Sequence, residues 1–272
     1  MPRKIQLEAM DDDLRNSLWN SILSRFDESA YEWQAAAELL AKYLFKIPTD
    51  TVPSAEHRAR SWIRDRFFAV EWHQTYDVVE FLVNNVDNIK QSNTDSHSDN
   101  QLSEFIAEMN GILQREMAGY RFIRGALAPI SEPVEVSAID AAANICYGGG
   151  VSGASTHIRA ALALLGRKPT ADYRNSIKES ISAVESAVNV VAGTSGDGVA
   201  KAIEILSSKA EIHPSLRTAL KQLYGYTSNE DGIRHSILEQ SAVGFAEAKF
   251  MLVACSAFVN FIADKGREAA GA

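Results

Sequence analysis

The sequence predicts a mainly α-helical protein with two domains: a helical N-terminal domain that contains a small β-hairpin, followed by an antiparallel helical bundle. Two observations lead to this prediction. Apolar residues recur at intervals of three and four along most of the 272 residues, which is the spacing of one face of a helix. One short segment, residues 119–130, instead alternates apolar and polar side chains, as paired strands do.

The N-terminal half begins with an amphipathic helix, because Leu14, Leu18 and Ile22 follow a group of capping aspartates at four-residue spacing. The same spacing predicts four further helices, over residues 29–45, 54–70, 75–89 and 103–118. Residues 91–100 contain no apolar side chain, so we expect a solvated loop between the last two of these helices.

The β-hairpin is predicted to turn at Arg124-Gly125, because glycine suits the left-handed backbone of a tight hairpin turn. Residues 132–147 return to helical spacing and end at three glycines. The glycine-rich stretch has the letters of a dinucleotide-binding loop, but that loop must follow a strand, and here a helix precedes it. We therefore predict an N-terminal domain over 1–147, a flexible linker over 148–154 and a second domain over 155–272.

The second domain is predicted to contain five helices joined by short loops, which favours an antiparallel bundle. These helices cover residues 156–166, 172–193, 198–210, 213–226 and 243–265. In the second of them the apolar positions form one buried seam, made of Ile177, Ile181, Val184, Val188 and Val191. Asp172 precedes this helix and is predicted to be its N-cap.

Charge is distributed unevenly along the chain, whose net charge is −8. From Ser155 onward there are 13 Lys and Arg against 12 Asp and Glu, which leaves 14 against 23 before it. An acidic N-terminal half is a poor surface for nucleic acid. The nearly neutral second half can still carry a local basic cleft.

The two cysteines, Cys146 and Cys255, are far apart, so we predict neither a disulfide framework nor a cysteine zinc site. The histidines show no close His, Cys or Glu spacing, and we therefore predict no metal and no cofactor. Residues 1–16 lack the apolar core of a secretion signal. The longest apolar run has Glu247, Lys249 and Asn260 at its edges, so we expect a buried helix, no membrane partner and a cytoplasmic protein.

Polar residues flank the seam of the helix that follows Asp172. Arg174, Lys178 and Glu185 fall about 50–90° from the centre of the seam at 100° per residue, and Asn175 lies further round. Such a row fits a polar cleft. It equally fits a solvated edge, with the long side chains of Arg174 and Lys178 lying over the core.

Arg234 and His235 are adjacent in "YGYTSNEDGIRHS". Histidine exchanges protons near neutral pH, and a guanidinium can hold the charge of a phosphoryl transition state. Together they suffice for RNA cleavage without a metal. Asp231 lies one helical turn before His235, where it could orient the ring. A structural histidine near a helix start is the alternative, because adjacent helix residues point about 100° apart.

Long strings of this sequence resemble a known family. "DYRNSIKESISAVE", "LYGYTSNEDGIRHS" and "FMLVACSAFVNF" are similar to the C-terminal region of AbiJ-type abortive-infection proteins, which belong to the α-helical HEPN superfamily. "DDDLRNSLWN" and "AGYRFIRGALAPI" are similar to one of the N-terminal domain types that accompany that region. The resemblance extends over nearly the whole chain.

The resemblance implies an antiphage or toxin-type protein whose HEPN-like bundle is a metal-independent endoribonuclease, active as a homodimer. RNA would be the substrate, and an antitoxin or a phage-derived trigger would be a further partner. The implied catalytic residues are His235 with Arg234 or Arg174. The supporting residues are Asn175, Lys178, Glu185 and Asp231.

The sequence differs from many HEPN nucleases in one respect. They carry arginine four to six residues before the histidine, a region that here contains Asn229, Glu230 and Asp231. A non-catalytic HEPN-like module that binds nucleic acid, nucleotide or a protein partner is therefore the alternative function.

Overall fold

The computed structural model describes residues 5–26, 31–90, 95–147, 150–151, 153–194, 199–209, 212–228 and 243–269. Helices dominate the described chain, and the only strands in these ranges form short antiparallel pairs. The predicted mainly α fold with a small hairpin is confirmed. By contacts the chain divides into two compact units, Met1–Ser131 and Glu132–Ala272.

Unit 1 consists of helices and one β-hairpin. Its helices are α1 (Asp12–Arg25), α2 (Glu32–Leu39), α3 (Glu56–Ala69), α4 (Trp72–Asn84), α5 (Val86–Lys90) and α6 (Asp95–Arg115). A π-helical turn, Leu40–Phe45, continues α2, and a 3₁₀ turn, Thr49–Thr51, follows it. The strands are β1 (Arg121–Ile123) and β2 (Ala126–Ala128).

The β-hairpin turns at the predicted residues. Arg124 and Gly125 both have positive φ, 53° and 80°, which is the backbone that a two-residue turn with right-handed strand twist requires. The amide of Asn84, at the end of α4, donates a 2.8 Å hydrogen bond to the Gly125 carbonyl. The turn is therefore fixed from both sides, by its own backbone and by α4.

The predicted loop over residues 91–100 is wrong from residue 95 onward, because α6 begins at Asp95. Aspartate and serine are unfavourable inside helices but favoured at their N-termini, where they meet unpaired N–H groups. Once the amphipathic part of α6 has formed, adding polar residues to its N-terminus fixes only one more residue for each new hydrogen bond. The absence of apolar residues was thus not a sign of a loop.

Aromatic rings form the centre of unit 1. Trp19 lies 5.7 Å from Trp33 and 5.3 Å from Phe67, measured between ring centroids. Phe26 meets Trp33 edge-on at 5.9 Å and Phe105 at 6.1 Å. All five side chains are buried, and they belong to α1 with its C-cap residue, α2, α3 and α6. One aromatic core therefore joins these four helices.

Arg15 joins α1 to the end of α3. Its Nη1 donates to the carbonyls of Phe67, Phe68 and Val70 at 3.2, 3.1 and 2.9 Å. The last carbonyls of a helix have no partner within that helix and carry its negative dipole end. A guanidinium placed there satisfies those acceptors and stabilises the helix terminus at the same time.

In its described residues, unit 2 contains the five predicted helices and one that precedes them. The helices are α7 (Pro133–Ala142), α8 (Gly153–Leu165), α9 (Tyr173–Ala192), α10 (Val199–Lys209), α11 (Pro214–Ser228) and α12 (Phe245–Ala269). Within the predicted linker, β4 (Gly150–Val151) pairs with β3 (Cys146–Tyr147), and α8 already begins at Gly153.

The division between the units lies before α7, whereas the sequence predicted a boundary at residue 147. The reason is that α7 packs on α12. Lys249 on α12 forms a 2.7 Å ion pair with Glu135, and the Asn260 amide donates a 2.9 Å hydrogen bond to the Ala138 carbonyl. Both contacts join residues more than a hundred positions apart in the sequence. The spacing of apolar residues within α7 gives no sign of such a distant contact.

Helix α9 is the central helix of unit 2. Ile177, Ile181, Val184 and Val188 are buried as the seam predicted, and Val191 is partly buried. The Asp172 carboxylate accepts a 3.1 Å hydrogen bond from the Asn175 backbone N–H, so the predicted N-cap is confirmed.

The neighbours of α9 run in opposite directions. Helix α8 is antiparallel to it, since the Ser176 hydroxyl meets the Ala161 carbonyl while Gly153 lies against Ser186. Helix α12 is parallel to it, because Tyr173 contacts Phe245 near the start of both helices and Val191 lies against Gly266 near their ends. The bundle is thus antiparallel at α8 and α9, and parallel at α9 and α12.

Candidate functional site

The polar row predicted on α9 lies at the surface of unit 2. Arg174, Asn175 and Lys178 are exposed, and Glu185 is partly buried. The Asn175 side chain donates a 2.8 Å hydrogen bond to the other oxygen of Asp172, which makes Asn175 part of the helix cap. Arg174 and Lys178 lie one turn apart on the exposed side of α9.

The other predicted site residues, Arg234, His235 and Asp231, lie outside the described residues. Their approach to Arg174 stays a prediction.

A second group on the same helix brings a histidine and a carboxylate together. The Nδ1 atom of His157, on α8, lies 2.6 Å from Oε2 of Glu179, on α9. The His157 side chain is 38% exposed and that of Glu179 is 26% exposed. The pair is thus set into the seam between two helices and still open to solvent.

Small residues hold α8 and α9 close at this point. The buried Ser176 hydroxyl donates a 2.8 Å hydrogen bond to the Ala161 carbonyl. A Cβ atom on Gly153 would lie 2.5 Å from the Ser186 hydroxyl, so a side chain there would require the Ser186 hydroxyl to rotate away. These two contacts lie on either side of His157 along α8, and they fix the two backbones that carry the pair.

The contact defines how the ring can act. An ionised carboxylate only accepts hydrogen bonds, so Nδ1 of His157 is protonated and donates its hydrogen bond to Glu179. In the neutral ring Nε2 then has a lone pair. We assign this tautomer from the partner, as is usual for histidine. A ring oriented by a carboxylate through one nitrogen and open at the other is the arrangement of a general base.

Unit 1 contains an open cavity of about 1030 Å³ beside the π-helical turn, lined by both polar and apolar side chains. The turn places Lys42 and Tyr43 side by side at the cavity, with the Lys42 ammonium 4.8 Å from the Tyr43 ring centroid. The other lining residues are Ala35, Glu38, Leu39, Thr49, Asp50, Phe81, Asn85 and Asn88. An extra residue in a helical turn redirects the side chains around it, and such turns are frequent at functional sites.

Comparison with known proteins identifies the N-terminal part. The model of the family described as AbiJ N-terminal domain 4 matches residues 1–144, more than half of the chain. The chain belongs to this AbiJ family. The match contains all of unit 1, including its cavity, and extends over α7. No curated protein and no solved structure matches the chain.

The AbiJ domain indicates a role in abortive infection. The resemblance of the N-terminal half to AbiJ-type proteins is therefore confirmed. The match ends at residue 144, so the HEPN resemblance of the following helices stays a prediction. In this AbiJ-family chain the cavity lies in the family domain, and the His157–Glu179 pair lies beyond it.

Other reactive groups of the AbiJ-family chain are less suited to chemistry. Cys255 is fully buried, and burial raises the pKa of its thiol well above the usual range, so it is a poor nucleophile. Within the described ranges, His, Cys, Asp and Glu side chains form no group of three that could hold a metal ion.

One described helix of the AbiJ-family chain, Phe245–Glu268, is long and apolar enough to cross a membrane. Buried core helices have the same length and composition. One of its faces is packed within unit 2, with Met251, Leu252, Cys255, Val259 and Ile262 buried.

The contact between His157 and Glu179 was not predicted from the sequence. A signal was present: α8 and α9 are joined by a short loop, and two such helices pack antiparallel. Counting outward from the loop places His157 of α8 near the level of Glu179 of α9. The rotation of each helix about its axis, which decides whether the side chains meet, comes only from packing.

Proposed function

We propose that this AbiJ-family protein is a cytoplasmic abortive-infection effector whose second unit cleaves RNA without a metal ion, as a homodimer. The family match carries the infection role. The helical second unit, the exposed cations Arg174 and Lys178 on α9, and the sequence resemblance to HEPN nucleases support the activity. Lysine and arginine at a surface attract RNA phosphates. The homodimer is what the sequence resemblance to HEPN nucleases implies.

In this proposal His235 acts in proton transfer, with Arg234 or Arg174 stabilising the phosphate. We expect His235→Ala to lower the rate of RNA cleavage by about 100-fold to 10,000-fold, the usual contribution of a general acid or base. The measurement uses the purified protein, EDTA and total cellular RNA, with light scattering to record the oligomeric state.

The matched control is His213→Asn. His213 is an exposed histidine of unit 2 that accepts a hydrogen bond from the Ser215 backbone N–H at the start of α11, and asparagine serves equally well as a cap. This variant should cleave RNA like the wild type. Equal cleavage by the His235→Ala protein would remove His235 from the mechanism, and an inactive wild type would remove the nuclease proposal.

A non-catalytic binding module is the second candidate function. The position of Asn175 favours it, because both hydrogen bonds to Asp172 tie this residue to the helix cap and away from a substrate. This function requires that the wild-type protein leaves RNA intact in EDTA and co-purifies with a stable nucleotide or protein partner.

We further propose that unit 1 binds the infection trigger at the cavity beside the π-helical turn. Tyr43 is exposed at the cavity and Lys42 lies beside it, and exposed tyrosines often carry much of the energy of a protein interface. We expect Tyr43→Ala to abolish protection of cells against phage, measured as plaque counts, while RNA cleavage by the purified protein is kept.

Tyr31→Ala is the matched control for this experiment. Tyr31 is an exposed tyrosine of the same unit that does not line the cavity. Full protection by the Tyr43→Ala protein would show that the trigger does not bind there. Loss of protection by both variants would point to general damage to unit 1.

A further inference from the structure

We propose that His157 and Glu179 form a proton-transfer pair of unit 2, in which His157 is the general base that activates the 2′-hydroxyl of bound RNA. This inference rests on the proposed RNA cleavage and adds to it a residue that the sequence did not single out. Glu179 is a positioning residue, because it acts on the substrate through the histidine ring.

Among the histidines whose side chains the structure describes, His157 alone has a carboxylate partner. His213 accepts a hydrogen bond from a backbone N–H, and the His73 ring packs edge-on against Trp72 at 5.5 Å. A histidine that acts as a base needs a neighbouring group, besides the substrate, that fixes its tautomer and orientation. Glu179 provides that group at 2.6 Å.

The pair combines a fixed position with access to solvent. Its backbones are fixed by the Ser176–Ala161 hydrogen bond and by the close approach of Gly153 to Ser186. At 38% exposure the imidazole can still meet a ligand from solvent. Sites on helices keep their geometry better than sites on loops, which suits proton transfer over a hydrogen-bond distance.

The surroundings on α9 favour a phosphate-containing ligand. Lys178 precedes Glu179 directly in the sequence, and Arg174 lies further toward the start of the same helix, and both are exposed. At 100° per residue Lys178 and Arg174 lie about 100° and 140° round the helix from Glu179, so a substrate strand that crosses the exposed side of α9 would meet their positive charge on its way to the pair. The pair supplies the base, and the basic residues favour binding of the strand.

The cleavage step moves the phosphorus from the 5′-oxygen to the ribose 2′-oxygen. Nε2 of His157 takes the proton of the ribose 2′-hydroxyl, the 2′-oxygen forms a bond to phosphorus, and the bond from phosphorus to the 5′-oxygen breaks. The leaving 5′-oxygen takes a proton from a water molecule, the transfer that His235 would promote in the proposed function, and the hydroxide formed is neutralised by the proton held on the imidazole. The products are a 2′,3′-cyclic phosphate and a 5′-hydroxyl, and nothing is oxidised or reduced.

A structural role for the pair would give different results. Ion pairs that are this exposed contribute little to stability, and the two helices are joined independently by buried Ser176 and by the apolar seam. His157→Gln and Glu179→Gln should therefore fold like the wild type, as judged by circular dichroism and thermal unfolding.

The test measures cleavage of a short fluorescent single-stranded RNA of mixed sequence in EDTA by the full-length protein. We expect His157→Gln to cleave about 100-fold to 10,000-fold more slowly than the wild type. Glu179→Gln keeps an acceptor for Nδ1 but loses the charge, so kcat should fall by about tenfold or more with KM unchanged. His213→Asn should match the wild type, and RNA with 2′-deoxy sugars should not be cleaved.

Each outcome decides the matter. Slow cleavage by folded His157→Gln, together with a 2′,3′-cyclic phosphate product of the wild type, supports the proposal. A folded His157→Gln protein that cleaves RNA at the wild-type rate overturns the role of His157 but leaves the proposed RNA cleavage in place. The same conclusion follows if only His235→Ala loses activity. A wild type that cleaves no RNA overturns both proposals. If His157→Gln does not fold, an unchanged kcat in Glu179→Gln overturns the pair and a lowered kcat supports it.

Discussion

Trp33→Ala is expected to lower the free energy of unfolding of unit 1 by about 3–5 kcal/mol, the usual cost of removing a buried large aromatic ring. Trp33 is 1% exposed and contacts Trp19 and Phe26. Domains are stable by only about 5–15 kcal/mol, so this one change removes a large part of the stability. All four tryptophans lie at or before Trp72, and urea unfolding followed by their fluorescence reports on unit 1.

Trp33→Phe separates the two contributions of this side chain. The indole Nε1 is buried and has no hydrogen-bond partner in the described part of the chain, which costs stability because water is lost and nothing replaces it. Phenylalanine keeps a ring and removes that N–H, so its cost should stay below about 1.5 kcal/mol. A loss under about 1 kcal/mol for Trp33→Ala would contradict the aromatic core.

The aromatic core also bears on the proposed trigger site. Trp33 lies on α2, and the same helix supplies Ala35, Glu38 and Leu39 to the cavity. A variant that loosens α2 should therefore lose protection against phage together with stability. Tyr43→Ala, in contrast, should lose protection with stability kept, and this difference separates binding from folding.

Features that depend on neighbouring residues could be predicted from the sequence. The turn at Arg124-Gly125 follows from the backbone freedom of glycine, and the start of α9 follows from the side chain of Asp172. The buried seam of α9 follows from the spacing of its apolar residues. In each case the cause lies within a few residues of the feature, so the local sequence contains it.

Features that depend on packing between distant segments could not be predicted. The contact of His157 with Glu179 requires both the register and the rotation of α8 and α9, which small residues such as Gly153 set through close backbone approach. The parallel course of α12 beside α9, seen in the Tyr173–Phe245 and Val191–Gly266 contacts, depends on the end of the bundle at which α12 begins. Neither changes the period of apolar residues along any one helix.

The predicted catalytic residues illustrate the same limit. Arg174 and His235 were assigned to one site because their side chains suit RNA cleavage, not because of their spacing in the sequence. The structure describes only Arg174, as an exposed residue of α9. Glu179, on the same helix, has a histidine partner that lies 22 residues before it in the chain. The reaction determines which residue types RNA cleavage needs. Three-dimensional contacts are needed to decide which histidine acts as the base.

Ile177→Ala is expected to destabilise unit 2 by about 2–5 kcal/mol, whereas Ile177→Val should cost only about 0.5–1.5 kcal/mol. Ile177 is fully buried on α9, so alanine leaves a cavity where the seam meets its neighbours, and valine removes one methylene. Unfolding of unit 2 is followed by far-ultraviolet circular dichroism, while tryptophan fluorescence should be unchanged because unit 2 contains no tryptophan.

Val190→Ala is the matched control, because Val190 lies on the same helix and is 49% exposed, so its loss should change stability by no more than about 0.5 kcal/mol. Loss of RNA cleavage on heating should follow the same order as loss of stability. Since α9 carries Glu179 and holds α8 through Ser176, Ile177→Ala should lose RNA cleavage at a lower temperature than Ile177→Val or Val190→Ala. Equal thermal inactivation of all three proteins would mean that cleavage does not depend on the packing of α9, and the site would then have to lie elsewhere.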